Sequence, residues 1–357
     1  MNYFNHFTII GSVGFENTEA KTRKIILAGA DAIRINLSRH SIEENLEIVR
    51  SVNHTIEDVH ANTRVILDMP ISKTRLGDFD MKIFTIREQE EIIFKSASYS
   101  PDCNQFIPVQ IPKLGERVHI NQTITVGDGE VALQVVDIID STTILMKALN
   151  NGSLQYMRTF NLEKERDFIN IPGEYQKIIS HLNTNQFQYL TIGYFDAETN
   201  AKINELVESL NIEILLRIED QAGLDDIEKI MANPKYEAIV FDRGELGVNI
   251  PYEQVGIYQK NICYLAKQHK KPLIISTQIL ESTINNYTPA RSDILDLTNL
   301  VLDGARGIIL SRETGYKTRP AYTISVAKKI VAEAEKYKTE QANKNSIYYD
   351  FDIYSGA

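Results

Sequence analysis

The sequence is poor in cysteine, lacks a long apolar segment and has no excess of basic residues. Its two cysteines, Cys103 and Cys263, match no metal-binding or redox spacing, which favours a reducing cytoplasm. Because no apolar run approaches the roughly 18 residues of a membrane span, and because the N-terminal residues MNYFNHFTIIGSVGF show no basic flank or cleavage site, we expect neither a membrane segment nor a signal peptide. The net charge of −10 argues against a nucleic-acid-binding surface but is compatible with a local basic pocket.

Short runs rich in isoleucine, leucine and valine recur along the chain, separated by amphipathic segments. Runs that are apolar at almost every position predict strands buried on both faces, as in a parallel sheet. The eight runs begin at Phe7, Ala32, Arg64, Tyr189, Glu213, Ala238, Leu273 and Gly307. Helices are predicted over 17–29, 41–60, 199–210, 254–269 and 320–336. Eight strand–helix units predict a TIM (β/α)₈ barrel, with a doubly wound open sheet as the alternative.

The third and fourth runs are separated by an unusually long insertion. About a hundred residues lie between Asp68 and the next helix near Tyr175, far more than an ordinary loop contains. They alternate with a period of two and carry the turn signals GDG and NNG, which predicts a small inserted β-barrel or sandwich, placed like a lid at the active-site face. The predicted domains are a discontinuous barrel, 1–76 and 171–340, an insert, 77–170, hinged near Gly77 and 163–172, and a tail, 341–357.

Polar residues end the predicted strands, where active sites of such barrels form. Arg217 and Glu219 are two positions apart and therefore share one strand face, as do Arg34, Asn36 and Ser38. One interpretation is a network of salt bridges that closes the barrel, since buried charges need partners.

The other interpretation is a site for a hard cation and an anion. Glu219 and Glu245 suit Mg²⁺ or Mn²⁺, with Arg217 beside them for an anionic ligand and Gly244 allowing close approach of backbone amides. Glu245 could instead only cap its loop.

Several long motifs, in order along the chain, resemble those of the pyruvate kinase family from about Phe7 to Tyr337. RIEDQAG is similar to the family's K-I-E-N-x-x-G, and FDRGELGVNIP to its A-R-G-D-L-G-x-E-I-P. KKPLIISTQILEST and DGARGIILSRET are similar to the segments that carry T-Q-M-L-E-S-M and S-x-E-T in the family. AGADAIRINLS resembles its M-R-L-N-F-S segment, and VGDGEVALQV its lid.

The resemblance implies a role for each matching residue. Arg34, Arg217 and Thr277 would be catalytic, Thr277 lying near the substrate's methylene carbon, and Arg34 and Arg75, with Arg158, would contact the nucleotide or phosphoryl group. Arg243, Gly244 and Glu245 would offer backbone amides to the carboxylate of phosphoenolpyruvate or pyruvate. Glu219 and Glu245 would hold Mg²⁺ or Mn²⁺. The K⁺ ligands would be Asn36, Ser38, Asp68 and the carbonyl of Met69.

The sequence also departs from the family at important positions. Arg217 stands where the family has its phosphoryl-stabilising lysine, and Glu245 where it has an aspartate. A planar guanidinium is not equivalent to an ammonium point charge, so we expect Arg217 to misplace the phosphoryl donor or acceptor. The family's D-T-K-G-P-E-I-R-T becomes DMPISKTRL from Asp68, S-H-G becomes Ser38-Arg39-His40, and Met157 replaces a basic residue in the lid.

Three functions are compatible with this sequence. The first is a pyruvate-kinase-like phosphotransferase with Mg²⁺ and K⁺, divergent in substrate or weak in classical activity. The second is an enzyme whose site has been altered to act on phosphoenolpyruvate, pyruvate or another 2-oxo acid, such as a lyase, an aldolase or a transferase to another acceptor. The third is a catalytically silent ligand-binding homologue. The expected partners are small molecules, with a homo-oligomer possible. Since the sequence ends after the eighth barrel helix, the resemblance implies no C-terminal regulatory domain and no activation by fructose bisphosphate there.

Overall fold

The computed structural model describes residues 3–14, 19–38, 40–70, 73–162, 170–315 and 319–343. Arg39, most of the predicted 163–172 hinge and the tail beyond residue 343 lie outside these ranges. The chain divides into two compact units. We call them the barrel unit, Met1–Pro70 with Tyr175–Arg243 and Glu253–Ala357, and the β unit, Ile71–Glu174 with Gly244–Tyr252. Within the described residues, no helix is both long and apolar enough to span a membrane.

The barrel unit contains a closed barrel of eight parallel strands, in the spatial order β1-β18-β17-β16-β15-β14-β3-β2. The strands are β1 (Thr8–Val13), β2 (Ala32–Asn36), β3 (Arg64–Asp68), β14 (Tyr189–Gly193), β15 (Glu213–Ile218), β16 (Tyr236–Asp242), β17 (Leu273–Ser276) and β18 (Gly307–Leu310). Each overlaps one of the eight apolar runs. The predicted TIM barrel is therefore confirmed, and the doubly wound sheet is excluded because β1 pairs with both β2 and β18.

Helices follow the barrel strands along the chain. They are α1 (Glu19–Leu27), α2 (Ile42–Asp58), α3 (Ile171–Ile179), α4 (Ala197–Glu208), α5 (Gln221–Asp225), α6 (Ile227–Ala232), α7 (Arg243–Asn249), α8 (Val255–Gln268), α9 (Arg291–Asp303), α10 (Arg312–Gly315) and α11 (Pro320–Asn343). Alternate strand residues point inward and fill the barrel with Ile10, Ile66, Leu215, Val240, Ile274 and Ile309. Because side chains alternate along a strand, Arg217, two positions after Leu215 and near the end of β15, also faces inward.

The β unit is built around a six-stranded sheet in the order β13-β9-β10-β11-β6-β8, with two short two-stranded sheets, β12-β5 and β4-β7. Its strands are β4 (Asp78–Phe79), β5 (Ile83–Ile86), β6 (Glu91–Ser96), β7 (Tyr99–Ser100), β8 (Ile107–Val109), β9 (Thr123–Val126), β10 (Val131–Ile138), β11 (Thr143–Ala148), β12 (Gly152–Gln155) and β13 (Phe160–Asn161). The GDG turn joins β9 to β10, where Gly127 and Gly129 have φ of 74° and 94°. A separate core including Phe94, Leu133 and Phe160 stabilises the unit.

A capping box is present at the start of α2. The backbone N–H of Glu44 donates to Ser41 Oγ at 3.2 Å, and the Ser41 N–H donates to Glu44 Oε2 at 2.9 Å. These bonds satisfy two donors that a helix N-terminus otherwise leaves to water.

We expect Ser41→Ala to lower the free energy of unfolding by about 1 kcal/mol, since the alanine cannot accept the Glu44 N–H. Ser51→Ala, on an exposed position within the same helix, is the matched control and should be neutral or slightly stabilising. Urea unfolding followed by circular dichroism measures both. Equal losses in the two variants would contradict a capping role for Ser41.

Candidate active site

The inward-facing end of β15 places Arg217 among the oxygens of neighbouring strands. Its Nε donates to Glu219 Oε2 at 3.1 Å, its NH2 group donates to the Met69 carbonyl at 3.3 Å, and its NH1 group donates to Asp68 Oδ1. Arg217, Glu219 and Asp68 are only 4%, 0% and 1% exposed. Burial opposes the charged guanidinium, yet the carboxylates of Asp68 and Glu219 outweigh it and raise the pKa of Arg217 above its usual value. The guanidinium is therefore a fixed, permanently charged part of the barrel.

A second arginine reaches the same carboxylate from β2. Arg34 Nε donates to Asp68 Oδ2 at 2.7 Å, its NH2 group pairs with the same oxygen, and its NH1 group lies 3.3 Å from Ser12 Oγ. We call Arg34, Asp68, Arg217 and Glu219 the arginine–carboxylate cluster. Its ion pairs have the form of the salt-bridge network considered from the sequence, and they use the residues that the resemblance marks as catalytic or metal-binding.

The four residues implied as K⁺ ligands lie close together on β2, β3 and the turns after them. Asn36 pairs in register with Asp68, and Asn36 Oδ1 accepts the Ser38 N–H at 2.9 Å. Both Asp68 oxygens accept from arginines, and the Met69 carbonyl accepts from Arg217. Oxygens that already accept from guanidinium groups do not fit a K⁺ ion, because the ion would have to lie against a like charge.

The two carboxylates predicted to hold a divalent metal also have cationic partners. Glu219 pairs with Arg217 in the barrel unit, and Glu245 pairs with Lys73 in the β unit. Among the described residues, no group of three or more histidine, cysteine, aspartate or glutamate side chains is arranged to hold a metal ion. In this arrangement neither carboxylate fits a divalent cation without a change of its present ion pair. Sequence reasoning missed Lys73, although it lies in the segment that departs from the family motif.

Thr277 and Gln278 follow β17 in a conformation that is rare for their residue types. Their φ angles are 75° and 53°, and a β-branched residue at positive φ is a genuine outlier. Thr277 Oγ1 donates to Asp242 Oδ1 at 2.9 Å. The Arg243 NH2 group donates to the carbonyls of Thr277 at 2.8 Å and Gln278 at 2.7 Å. Such strain persists only where the surroundings impose it, and it is concentrated at functional sites.

Arg243 is itself held in place by α9. Its NH1 group donates to Asp296 Oδ2 at 2.8 Å, so one guanidinium links α9 to the turn after β17. From the sequence we expected only the backbone of Arg243 to act. Its side chain was not singled out, because the positive φ of Thr277 has no clear sequence signal.

Tyr175 is a further buried residue that the sequence did not indicate. Its hydroxyl accepts the Gly193 N–H at 3.2 Å, and burial raises the pKa of Tyr175 above its usual value. The charges of Arg217 and Glu219 also act on this phenol, which therefore borders the arginine–carboxylate cluster. An isolated tyrosine within a predicted helical segment gives no sign of such a position.

The predicted nucleotide contacts of the β unit have partners within that unit. Arg75 NH1 donates to the Met157 carbonyl at 3.0 Å, and Arg158 pairs with Glu130. Although burial opposes ionisation of Glu130, the Arg158 charge prevails and lowers the pKa of that carboxyl. Gly244 and Glu245 lie in the first turn of α7, where backbone N–H groups lack acceptors within the helix.

A closed parallel barrel with charged side chains at the ends of its strands defines the class of TIM-barrel enzymes. Comparison with known proteins narrows that class. Residues 4–324 match the family model described as "Pyruvate kinase, barrel domain". The chain belongs to the pyruvate kinase family, a family of phosphotransferases.

Individual relatives agree with this assignment. The pyruvate kinase of Thermotoga maritima is 28% identical over 318 residues, which cover 88% of this chain and 67% of the relative. That of Thermococcus litoralis is 25% identical over 336 residues, covering 92% of this chain and 70% of the relative. The crystal structure of Cryptosporidium parvum pyruvate kinase has a TM-score of 0.84 at 21% identity, over 95% of this chain and 73% of that one. This last similarity supports the fold.

We expect Arg243→Met to destabilise the barrel unit by about 2–3 kcal/mol, because it removes charged hydrogen bonds to two carbonyls and leaves Asp296 without its ion pair. Arg23→Met, which removes an exposed ion pair with Asp58, is the control and should have a much smaller effect. Chemical unfolding of the two variants gives the comparison. A loss for Arg243→Met no larger than that of the control would show that Arg243 does not hold the Thr277 turn.

Proposed function

We propose that the protein is a pyruvate-kinase-like phosphotransferase that binds phosphoenolpyruvate or pyruvate and has weak or no classical transfer of phosphate to ADP. The observation that carries this proposal is the fixed position of Arg217 in the arginine–carboxylate cluster. Family membership supports the phosphotransferase class, and the departures at the barrel's strand ends support the loss of the usual activity.

The physical argument concerns the charge that meets the transferred phosphoryl group. Phosphoryl transfer depends on cations held where negative charge develops, and a displacement of about 1 Å can reduce the rate on the order of a hundredfold. The resemblance gives this role to the residue at position 217. Here each nitrogen of the Arg217 guanidinium donates to protein oxygens of Asp68, Glu219 and Met69. Moving the guanidinium toward a substrate would leave two buried carboxylates with less charge compensation.

The proposed substrate contacts follow the resemblance. Backbone amides of Arg243, Gly244 and Glu245 would bind the substrate carboxylate, which agrees with their position in the first turn of α7. Thr277 would lie near the methylene carbon, fixed by Asp242 and Arg243. Arg34, Arg75 and Arg158 stay the proposed contacts of the phosphoryl group and nucleotide.

The metal ions that the resemblance implies conflict with the ion pairs of this chain. Mg²⁺ or Mn²⁺ at Glu219 and Glu245, and K⁺ at Asn36, Ser38, Asp68 and Met69, are what the family implies. The ion pairs with Arg217 and Lys73 do not fit these ions, and we derive no catalytic step from them.

The same ion pairs favour a second candidate function. If both metal carboxylates are permanently neutralised by side chains, the protein would bind the family's ligands without turning them over, as a silent homologue.

The test is Arg217→Lys, which shortens the side chain and restores the family's residue. We expect the wild type to turn over phosphoenolpyruvate and ADP more slowly than the roughly 1–100 per second typical of kinases. Arg217→Lys should raise kcat by about tenfold or more, because an ammonium can leave the carboxylates more readily. Pyruvate formation is followed in a coupled assay with Mg²⁺ and K⁺, and phosphoenolpyruvate binding by calorimetry.

Arg64→Lys is the matched control, since Arg64 begins β3 at the opposite end of the barrel and its replacement should leave kcat unchanged. Wild-type turnover at ordinary kinase rates would contradict the proposal. Binding of phosphoenolpyruvate without turnover in either protein would support the silent homologue. Absence of phosphoenolpyruvate binding would rule out both candidates.

A further inference from the structure

We infer that the Arg217 guanidinium takes the place of a monovalent cation in this barrel, so that the protein binds no K⁺ beside Asp68. The inference concerns ion binding in the free protein and does not rest on the proposed catalytic activity. It follows from the disagreement between the ligands that the family resemblance implies and the partners that those ligands have here.

The first step is the identity of the oxygens. Two of the four implied K⁺ ligands, Asp68 and the Met69 carbonyl, accept hydrogen bonds from Arg217. A third, Asn36, uses its side-chain oxygen to accept the Ser38 N–H at 2.9 Å. The guanidinium is thus bound by the same kind of oxygens, a carboxylate and a main-chain carbonyl, that a monovalent cation would use.

The second step is charge. Asp68 and Glu219 are buried, and a buried carboxylate requires a compensating cation. The arginine–carboxylate cluster contains two guanidinium groups and two carboxylates, which compensate one another within direct contact. Asp242 also acts on Arg217 from the next strand, while its Oδ1 accepts the Thr277 hydroxyl at 2.9 Å. A K⁺ ion at Asp68 would lie close to both Arg34 and Arg217 and would be repelled by both.

The third step is tethering. Arg217 is covalently attached to β15, so its charge is present at a high effective concentration and need not be captured from solution. Its planar fork reaches Asp68, Glu219 and the Met69 carbonyl at once, whereas an ammonium concentrates its three donors at one atom. A shorter or neutral side chain at position 217 should therefore uncover oxygens that a K⁺ ion can bind.

The experiment measures cation binding by the whole chain without substrate. Thermal unfolding is recorded in potassium chloride and in choline chloride at equal ionic strength, and Tl⁺ is used as a direct probe of K⁺ sites in calorimetry. The wild type should show equal unfolding midpoints in the two salts and no saturable Tl⁺ binding. In Arg217→Met we expect saturable Tl⁺ binding and a midpoint about 2–4 °C higher in potassium than in choline, since a ligand that binds the native state stabilises it.

Two further variants make the result specific. Arg217→Lys keeps a positive charge, which protects the fold, and should also acquire a potassium-dependent midpoint because it satisfies fewer oxygens. Arg243→Met removes another arginine of the barrel but leaves both arginine partners of Asp68 in place. Its unfolding midpoint should therefore not depend on potassium.

The inference would be overturned if the wild type bound Tl⁺ saturably or were stabilised specifically by potassium. That effect would have to persist in Arg243→Met and disappear in Asp68→Asn. The inference would also be overturned if Arg217→Met and Arg217→Lys both folded and both had equal unfolding midpoints in potassium chloride and choline chloride. If Arg217→Met does not fold, the wild type and Arg217→Lys still decide the matter. Because no substrate is present, failure of the proposed activity leaves these outcomes unaffected.

Discussion

The carboxylate of Asp68 is the group on which the strand ends of the barrel depend. It is 1% exposed and accepts from arginines on two different strands, Arg34 on β2 and Arg217 on β15. An isolated charge at such a position would be very costly, so the two arginines must take up defined positions around it. The position of Arg217 in turn orients Glu219 and the Met69 carbonyl after β3, since both accept hydrogen bonds from its guanidinium.

The barrel could be predicted from the sequence because its main signal is local. Eight runs that are apolar on both faces specify eight buried strands, and their number and spacing exclude most other arrangements. The capping box of α2 is equally local, since both partners lie within four residues. The two-residue spacing of Arg217 and Glu219 indicated that their side chains lie on the same side of the chain, and the structure joins them by a hydrogen bond of 3.1 Å.

The partners of the site residues could not be predicted, because they depend on side chains that are distant in sequence. Arg217 and Asp68 are 149 positions apart, and Lys73 and Glu245 are 172 positions apart. Whether an arginine at a strand end points at a ligand or at a neighbouring strand depends on side-chain packing that no periodicity reveals. The positive φ of Thr277 belongs to the same category, since a threonine is a poor predictor of the left-handed region.

Similarity of sequence motifs to a family therefore does not establish that this protein performs the family's chemistry. The two carboxylates proposed to hold a divalent metal, Glu219 and Glu245, are each paired with a basic side chain, Arg217 and Lys73 respectively. A carboxylate binds a hard cation through charge that is not already compensated, and these ion pairs remove that charge. Arg217 couples Asp68, Glu219 and the Met69 carbonyl in this barrel, because a planar group with five donors can satisfy several oxygens where an ammonium cannot. The chemical type of a site residue is thus weaker evidence for activity than the identity of the group with which that residue pairs.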